Sequence, residues 1–216
     1  MRYRFKGVEL KTENAAKSYR QVGAWLCEQI ALVSSDALVL DYGCGKFRYT
    51  IPLSRMVRSV FAVDSRHQID REQRIAGKQT TLGEYAKKNL KNVFVCDVRS
   101  TAWRRKEFDF ILCSNVLSTI PHKVDRLNVL RKLRAVLKDG GRVLVSTQYR
   151  NTHFNQWKSN PNAIRVRDGW FVTGRRGPSF YAIIPPKKLA RLCREAGFSS
   201  SHVGSSGETA FVFAER

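Results

Sequence analysis

The chain has 216 residues, which suits one α/β domain with an elaboration, and its 43% hydrophobic content is ordinary for a globular protein. It contains 39 lysines and arginines against 18 acidic residues, so its formal charge is +21 and its pI is near 10.3. No apolar run approaches the roughly 18 residues that a membrane span needs, and the basic N-terminus lacks the apolar stretch of a secretory signal.

Helical and extended patterns alternate along the chain. Residues 1–11 are predicted to form an extended basic arm. Apolar spacing and helix-ending signals predict helices at residues 12–32, 47–56, 82–90, 123–138 and 185–196. Short apolar runs predict strands at residues 37–40, 59–64, 92–97, 108–115, 142–146, 199–204 and 209–214. Because strands alternate with helices, the expected fold is α/β, with a doubly wound, mostly parallel seven-stranded sheet.

Residues 149–181 interrupt this alternation. The segment contains seven aromatic residues and six lysines or arginines, but its one acidic residue is Asp168. We therefore predict an inserted lid that is aromatic and basic. The expected organisation is an N-terminal arm and helix, a ligand-binding core, this insertion, and a C-terminal helix with strands that complete the sheet, at residues 1–34, 35–148, 149–181 and 182–216.

A turn after the first predicted strand contains Gly43 and Gly45. Glycine lacks a Cβ atom, so such a turn can be tight and a ligand can lie against bare backbone. A dinucleotide-binding fold would have a third glycine where Arg48 stands, and the Walker sequence of phosphate-binding loops is absent. The turn alone is consistent with a nucleotide-like cofactor or with an uncommitted turn.

Acidic residues follow three successive strands of the predicted sheet. Asp41 lies two residues before the first glycine, Asp64 ends the next strand, and Asp97 ends the third. Open α/β sheets bind ligands at the carboxyl ends of their strands, and an acid about 20 residues after the glycine turn accepts hydrogen bonds from ribose hydroxyls. A solvated acid at the end of a strand is the alternative for each residue singly, but the ordered set indicates a nucleoside-containing cofactor.

These motifs together resemble those of class I S-adenosylmethionine-dependent methyltransferases. The first motif of that family is similar to residues 38–45, the acidic second to 63–64, the adenine-contacting third to 96–98, the fourth to 108–121, and the segment around the Gly-Gly pair to 130–146. The similarity covers about residues 35–148 and is specific as a set. It implies a Rossmann-like methyltransferase fold and S-adenosyl-L-methionine as the cofactor.

The resemblance also implies roles for individual residues. By position, the cofactor-binding residues are Asp41, Gly43, Cys44, Gly45, Asp64, Ser65, Asp97, Val98, Ser114 and Asn115. Asp41, Gly43 and Gly45 would surround the methionine part, and Asp64 would bind the ribose. Ser65, Asp97 and Val98 would lie at the adenine, and the last two residues would lie near the sulfonium. Phe47 replaces the glycine or small residue that the family usually has, which leaves the shape of the methionine pocket open.

The acceptor atom is less well defined. A sulfonium methyl is already activated, so an aligned nucleophile in a dry site suffices and a dedicated base is optional. The Pro-Pro signature of amino-methylating DNA enzymes does not follow Ser114, and the Pro-Cys nucleophile of cytosine-C5 enzymes is missing. Asn115 and His122 are the catalytic candidates, although His122 is equally well interpreted as a surface histidine of a loop.

The insertion supplies most of the predicted substrate-binding residues. They are Arg48, Tyr49, Trp157, Arg165, Arg167, Trp170, Arg175 and Arg176. Aromatic rings can stack on bases while arginine and lysine hold phosphates, which predicts RNA or DNA, or another polyanion, as the partner. An equally plausible interpretation is a lid whose aromatic residues form a small core of their own.

The predicted function is a methyltransferase that acts on a nucleic acid or on a substrate linked to one. A methyltransferase of a small or acidic metabolite is the alternative, and a non-catalytic binding module of the same fold is the second alternative. The five cysteines are scattered, odd in number and without a Cys-x-x-Cys pair. This favours reduced thiols in a cytoplasmic protein, with no disulfide frame and no metal site.

Overall fold

A computed structural model gives the fold, and it describes residues 2–5, 7–15, 23–150, 152–166, 168–174 and 177–216. Strands β1 to β14 are Arg2–Phe5, Val8–Lys11, Leu38–Tyr42, Ser59–Asp64, Gln73–Ile75, Lys78–Thr80, Val93–Asp97, Phe108–Ser114, Leu137–Gln148, Ala163–Val166, Gly169–Gly174, Gly177–Ala182, Ser199–Ser206 and Thr209–Glu215. Helices α1 to α8 are Ala24–Ala31, Thr50–Ser54, Arg66–Asp70, Leu82–Asn89, Thr101–Arg104, Lys123–Ala135, Thr152–Gln156 and Pro186–Glu195. Short 3₁₀ turns occupy Thr12–Ala15, Leu117–Thr119 and Trp157–Ser159.

Seven strands form the central sheet in the order β13-β14-β9-β8-β3-β4-β7. The pairs that join β8, β3, β4 and β7 are parallel, whereas β13 and β14 are antiparallel. Strand β3 precedes β4 in the chain but lies between β8 and β4, so the sheet winds outward in both directions from it. The predicted doubly wound, mostly parallel seven-stranded sheet of an α/β protein is therefore confirmed.

The chain divides into two compact units. We call the one that comprises residues 16–112 and 136–142 the glycine-turn unit, because it contains Gly43 and Gly45. We call the other, which comprises residues 1–15, 113–135 and 143–216, the insertion unit, because it contains residues 149–181.

The core of the glycine-turn unit is built from the central parallel strands. Val39, Leu40, Val60 and Ile111 are fully buried, as expected for strands that are apolar on both faces. A second cluster packs helices α3 and α4 against Cys44 and Phe47 of the glycine turn. The apolar side chains thereby fix the turn at the carboxyl ends of β3 and β4.

The insertion unit contains a small antiparallel sheet of its own, in the order β10-β11-β12. The N-terminal residues form a hairpin of β1 and β2, so the predicted extended arm is instead a paired one. Phe5 of this hairpin lies 6.5 Å from the ring of Phe171 and 5.8 Å from that of Phe180. Asn14 also donates a hydrogen bond to the Pro178 carbonyl. These contacts join the hairpin to the small sheet of the insertion.

Three predicted helices differ from the observed ones. The helix expected at residues 47–56 is observed as Thr50–Ser54. The helix expected at residues 12–32 is observed as Ala24–Ala31, with a 3₁₀ turn at Thr12–Ala15, and residues 16–22 lie outside the described residues. The helix expected to reach Lys138 ends at Ala135, and β9 begins at Leu137 rather than near 142. The reason is that the Val136 carbonyl accepts a hydrogen bond from the Phe108 amide, which draws the backbone into the sheet before the glycine pair.

Candidate cofactor and substrate sites

The glycine turn is held to the neighbouring strand by its own backbone. Gly43 and Gly45 adopt φ angles of 77° and 59°, in the left-handed region that glycine reaches without strain. The amides of Gly43 and Cys44 both donate to the Val63 carbonyl, at 2.7 and 3.1 Å. The turn therefore ends β3 and folds back directly over the end of β4.

Asp64 connects the glycine turn to the start of α3. Its Oδ2 accepts a hydrogen bond from the Gly45 amide at 2.9 Å, and its Oδ1 accepts one from the Ser65 amide at 2.7 Å. Ser65 in turn caps α3 by accepting from the Gln68 amide, and the Gln68 side chain donates to the Gly45 carbonyl. A carboxylate oxygen accepts more than one hydrogen bond, so these contacts are compatible with ribose hydroxyls as further donors.

Asp97 lies beside Asp64 at the same edge of the sheet. The two residues are Cα partners in the parallel pair of β4 and β7, and the Val98 amide donates to the Asp64 carbonyl at 2.8 Å. The Asp97 Oδ1 accepts from the Arg99 amide at 2.6 Å, which orients the carboxylate by a local turn. Three predicted cofactor-binding residues are thus brought together at the carboxyl ends of two adjacent strands.

Asp41 is the buried member of the acidic set. Its side chain is 3% exposed, and its Oδ2 accepts a hydrogen bond from the Thr50 hydroxyl at 2.6 Å. Burial raises the pKa of Asp41 to about 6 despite the opposing hydrogen bond from Thr50. Burial also raises the pKa of the Cys44 thiol well above its usual value, so Cys44 is a neutral packing residue.

The residues after the glycine turn pack into the core. Phe47 has a φ of 61° and is fully buried, with its ring 6.1 Å from that of Tyr85. Tyr49 is 7% exposed and its hydroxyl accepts a hydrogen bond from the Gly23 amide at 3.5 Å, while the Arg48 guanidinium lies 4.6 Å from the centre of the Tyr49 ring. The aromatic side chains of this segment thus support the turn, and Arg48 between them is half-buried.

Asn115 directly follows β8 and has a strained backbone conformation. Its φ is 60°, which asparagine tolerates better than most residues, and its amide donates to the Ser146 carbonyl at 2.8 Å. Its side-chain Oδ1 accepts from the Gln148 amide at 3.0 Å, and the Ser114 hydroxyl lies 3.0 Å from that of Ser146. Both predicted residues therefore join the ends of β8 and β9, and their roles at a sulfonium stay predictions.

His122 is exposed and contacts the N-terminal hairpin. Its Nε2 lies 2.8 Å from the Arg4 carbonyl oxygen, and its ring centre lies 5.9 Å from that of Phe5. Because a carbonyl can only accept, Nε2 donates the hydrogen. The contact holds the hairpin, and it leaves Nδ1 as the nitrogen that a catalytic role of His122 would require.

The insertion unit contains an open cleft of about 730 Å³. Its walls combine aromatic rings, three cationic side chains and one carboxylate, contributed by Tyr149, Arg150, Phe154, Asn155, Lys158, Arg165, Trp170, Ile183, Gly207 and Glu208. The predicted substrate residues Arg165 and Trp170 lie in this wall, with the guanidinium 5.5 Å from the centre of the indole. Arg150 likewise lies 5.0 Å from the centre of the Tyr149 ring. Two arginines of the cleft wall therefore each lie over an aromatic ring of the same wall.

Trp157 lies behind this wall. Its ring is 6.4 Å from Trp170, 4.9 Å from Tyr181 and 5.3 Å from Phe154. The aromatic residues of the insertion thus do form a small cluster of their own, one edge of which lines the cleft. The predicted residues Arg167, Arg175 and Arg176 lie outside the described residues.

Asp168, the acid in the insertion, is the centre of an ion cluster that the sequence did not predict. It accepts hydrogen bonds from Arg126 of α6 at 2.7 Å and from Lys188 of α8 at 2.6 Å. Arg126 is 1% exposed and also donates to the Ile120 carbonyl at 2.7 Å. Burial raises the pKa of Asp168, but the two cations outweigh it and lower that pKa to about 2. The cluster fixes the β10–β11 turn to α6 and α8.

Two other features are absent from the described part of the chain. There, no three histidine, cysteine, aspartate or glutamate side chains lie together in a way that could hold a metal ion. Likewise, no helix among those residues is both long enough and apolar enough to cross a membrane.

Comparison with known proteins identifies the family. A family model for a methyltransferase domain matches residues 17–203. The uncharacterized protein YmfD of Escherichia coli (strain K12) is 30% identical over 210 residues, which are 95% of this chain and 94% of that protein.

Solved structures of low sequence identity share the fold. An S-adenosylmethionine-dependent methyltransferase from Methanosarcina mazei is 15% identical, with 90% of this chain and 98% of that one covered at a TM-score of 0.67. Magnesium protoporphyrin IX methyltransferase from Synechocystis, solved with bound S-adenosylhomocysteine (SAH), is 18% identical, with 89% and 79% covered at a TM-score of 0.58. The chain therefore belongs to the methyltransferase-domain family and is a class I S-adenosylmethionine-dependent methyltransferase.

Proposed function

We propose that this enzyme methylates a nucleic acid or a substrate linked to one. The observation on which the proposal rests is the cleft of the insertion unit, where Arg150 and Arg165 lie over Tyr149 and Trp170. The part-exposed Tyr149 ring offers a face on which a base can stack, whereas Trp170 is buried and supports Arg165. The two guanidinium groups can bind the adjoining phosphates. The formal charge of +21 supports the same partner, because neutralising phosphates releases counterions from the nucleic acid.

We further propose which residues bind the cofactor. Asp64 accepts from the ribose, Asp97 and Val98 bind the adenine, and the positive-φ glycines leave bare backbone for the methionine part. S-adenosylmethionine, when bound, supplies the activated methyl group. The residues of the chain hold and orient: Asp64 fixes the turn through the Gly45 amide, and the Gln68 side chain fixes the Gly45 carbonyl.

The proposed mechanism requires alignment more than proton transfer. An in-line displacement at a methyl group is accelerated chiefly by holding the nucleophile in an attack geometry and excluding water. Among the catalytic candidates, His122 has one nitrogen on the Arg4 carbonyl and Asn115 has its side-chain oxygen on the Gln148 amide. We therefore assign Asn115 a positioning role at the end of β8. Where the reaction uses a base, the methyl acceptor itself or water takes up the proton.

A small or acidic metabolite is the second candidate acceptor. The volume of about 730 Å³ falls within the range of small-molecule pockets, and one solved protein of the same fold is a magnesium protoporphyrin IX methyltransferase. Lys158 and Arg165 suit a metabolite carboxylate as well as a phosphate. A chain that binds cofactor without turnover would correspond to the non-catalytic alternative.

Measurements of binding and methyl transfer for one pair of variants distinguish between these candidate functions. The substitutions Lys158→Gln and Arg165→Gln remove two exposed cleft cations, and Lys87→Gln with Lys88→Gln removes two exposed cations of α4 as the control. We expect the cleft variant to lose methyl transfer to RNA or DNA by at least about 10-fold, since two phosphate contacts are lost. Equal activity of both variants on nucleic acid would contradict the proposal, and transfer to a metabolite fraction alone would support the second candidate.

A further inference from the structure

We propose that helices α6 and α8 form a second polyanion-binding surface, which binds the phosphate backbone of the nucleic acid outside the cleft. We call it the α6–α8 basic face. It is defined by exposed cations of the two helices, which are Lys123, Arg131, Lys187, Arg191 and Arg194. The inference rests on the proposed function, because it assumes a nucleic-acid partner, but it concerns residues that neither the cofactor site nor the cleft uses.

Helix α8 presents a charged stripe on its exposed side. Lys187, Arg191 and Arg194 are spaced four and three residues apart, so they lie on one face of the helix. A four-residue interval corresponds to a rise of about 6 Å along the helix axis. The opposite face is apolar and buried, with Leu189 and Leu192 in the core. Packing thus fixes the direction in which the cations of α8 extend.

Helix α6 adds its cations at the end of α8. Lys123 lies 2.7 Å from the Glu195 carboxylate, and Arg134 donates to the Gly197 carbonyl at 2.8 Å. Arg191 lies 3.9 Å from the same carboxylate. The hydrogen bond of Lys123, followed by the charges of Arg191 and Arg131, lowers the pKa of Glu195. One carboxylate therefore lies among cations of both helices and neutralises only part of their charge.

The chemistry of the face matches a phosphodiester chain. Three of its members are arginines, whose planar guanidinium binds a phosphate through two parallel hydrogen bonds. An anionic membrane surface is the competing occupant, and membrane-binding helices insert apolar side chains on the side that meets the lipid. The exposed positions 187, 191 and 194 of α8 are all cationic, and Val124 of α6 is the one exposed large apolar side chain of the two helices. The face therefore offers several phosphate contacts but little apolar surface to a lipid.

The residues of the α6–α8 basic face do not line the cleft. Ligands of different length can therefore distinguish binding at the face from binding in the cleft. A trinucleotide can fill the cleft, whereas a 30-nucleotide strand can reach both surfaces. We expect the cations of the face to determine the salt dependence of binding to long nucleic acid. The affinity for a trinucleotide should depend on Lys158 and Arg165 instead.

The test is the salt dependence of binding by fluorescence anisotropy. The variant combines Arg131→Gln, Arg191→Gln and Arg194→Gln, and the control combines Lys87→Gln, Lys88→Gln and Lys91→Gln, which removes the same charge from exposed positions in the glycine-turn unit. The probes are a labelled 30-nucleotide RNA, a 30-base-pair DNA, a trinucleotide, and vesicles containing phosphatidylserine. Thermal melting of both variants checks that they fold.

For the variant, the negative slope of log affinity against log salt should become shallower by about 3 on duplex DNA or by about 2 on single-stranded RNA. The affinity should be at least about 10-fold weaker than that of the wild type. The nucleic acid that the wild-type protein binds more tightly at the same salt concentration is the preferred one, and trinucleotide binding should not change. Equal losses in the control, or a loss confined to the vesicles, would overturn the inference while leaving the cleft intact. If the wild-type protein binds neither the trinucleotide nor the long probes, the proposed function itself fails.

Discussion

The buried carboxyl of Asp41 makes the stability of this protein depend on pH in an unusual direction. Its pKa is raised from 3.8 to about 6, so its ionised form destabilises the fold. Below the pKa that Asp41 has in the unfolded chain, the carboxyl group is neutral and costs no stability. Stability is lost as pH rises through the pKa that Asp41 has in the folded protein. A shift of about 2.2 units corresponds to about 3 kcal/mol at full ionisation, of which about 2 kcal/mol develops between pH 4.5 and 7.5.

The substitution Asp41→Asn removes this charge and keeps an oxygen for the Thr50 hydroxyl. The free energy of unfolding of the ligand-free variant, measured by urea denaturation, should gain about 2 kcal/mol relative to wild type between pH 4.5 and 7.5. Asp36→Asn, at an exposed position of the same unit, is the matched control for loss of a carboxylate. A difference that stays flat with pH, or that changes in the opposite sense, would refute the assignment of a charged, desolvated Asp41.

Three further outcomes are expected. Asp64→Asn should weaken S-adenosylmethionine binding about 10- to 100-fold by calorimetry, because hydrogen bonds to a charged acceptor are worth about 1.5–3 kcal/mol; unchanged affinity would reject the ribose role. Asn115→Ala should cost about 2 kcal/mol in urea unfolding, from backbone strain plus a lost hydrogen bond, and Asn115→Gly about 1 kcal/mol less; equal losses would mean that the positive φ is unimportant. Asp168→Ala should lower stability by about 3–5 kcal/mol, because Arg126 is left buried with its charge unpaired; a loss below about 1 kcal/mol would contradict the ion cluster.

The parallel strands could be predicted because each is an apolar run that needs no partner to be recognised. Ser59–Asp64 has the predicted bounds, and Phe108–Ser114 differs by one residue. The hairpin of Gln73–Ile75 and Lys78–Thr80 was missed because its strands are three residues long and mostly polar. Side-chain hydrogen bonds between Gln68 and Gln73 hold its first strand, and such contacts have no signature in apolar periodicity.

The candidate site was predictable where position in the chain determines position in the fold. Asp64 and Asp97 end adjacent parallel strands, so their proximity follows from topology alone. The sequence does not predict the surroundings of Phe47, because its neighbours in sequence are glycines and polar residues. The burial of its ring results instead from packing against α4. The cleft could not be predicted as a whole, since Glu208 joins it from the β13–β14 turn, far along the chain from Arg150.

Sequence motifs and structure together leave the acceptor as the central question. Incubating the enzyme with S-adenosylmethionine tritiated in the methyl group and with separated RNA, DNA and metabolite fractions measures the acceptor directly. We expect label in RNA or DNA, with a yield that falls steeply with salt and drops in the Lys158→Gln, Arg165→Gln variant. Label confined to the metabolite fraction, at a yield indifferent to salt, would contradict it.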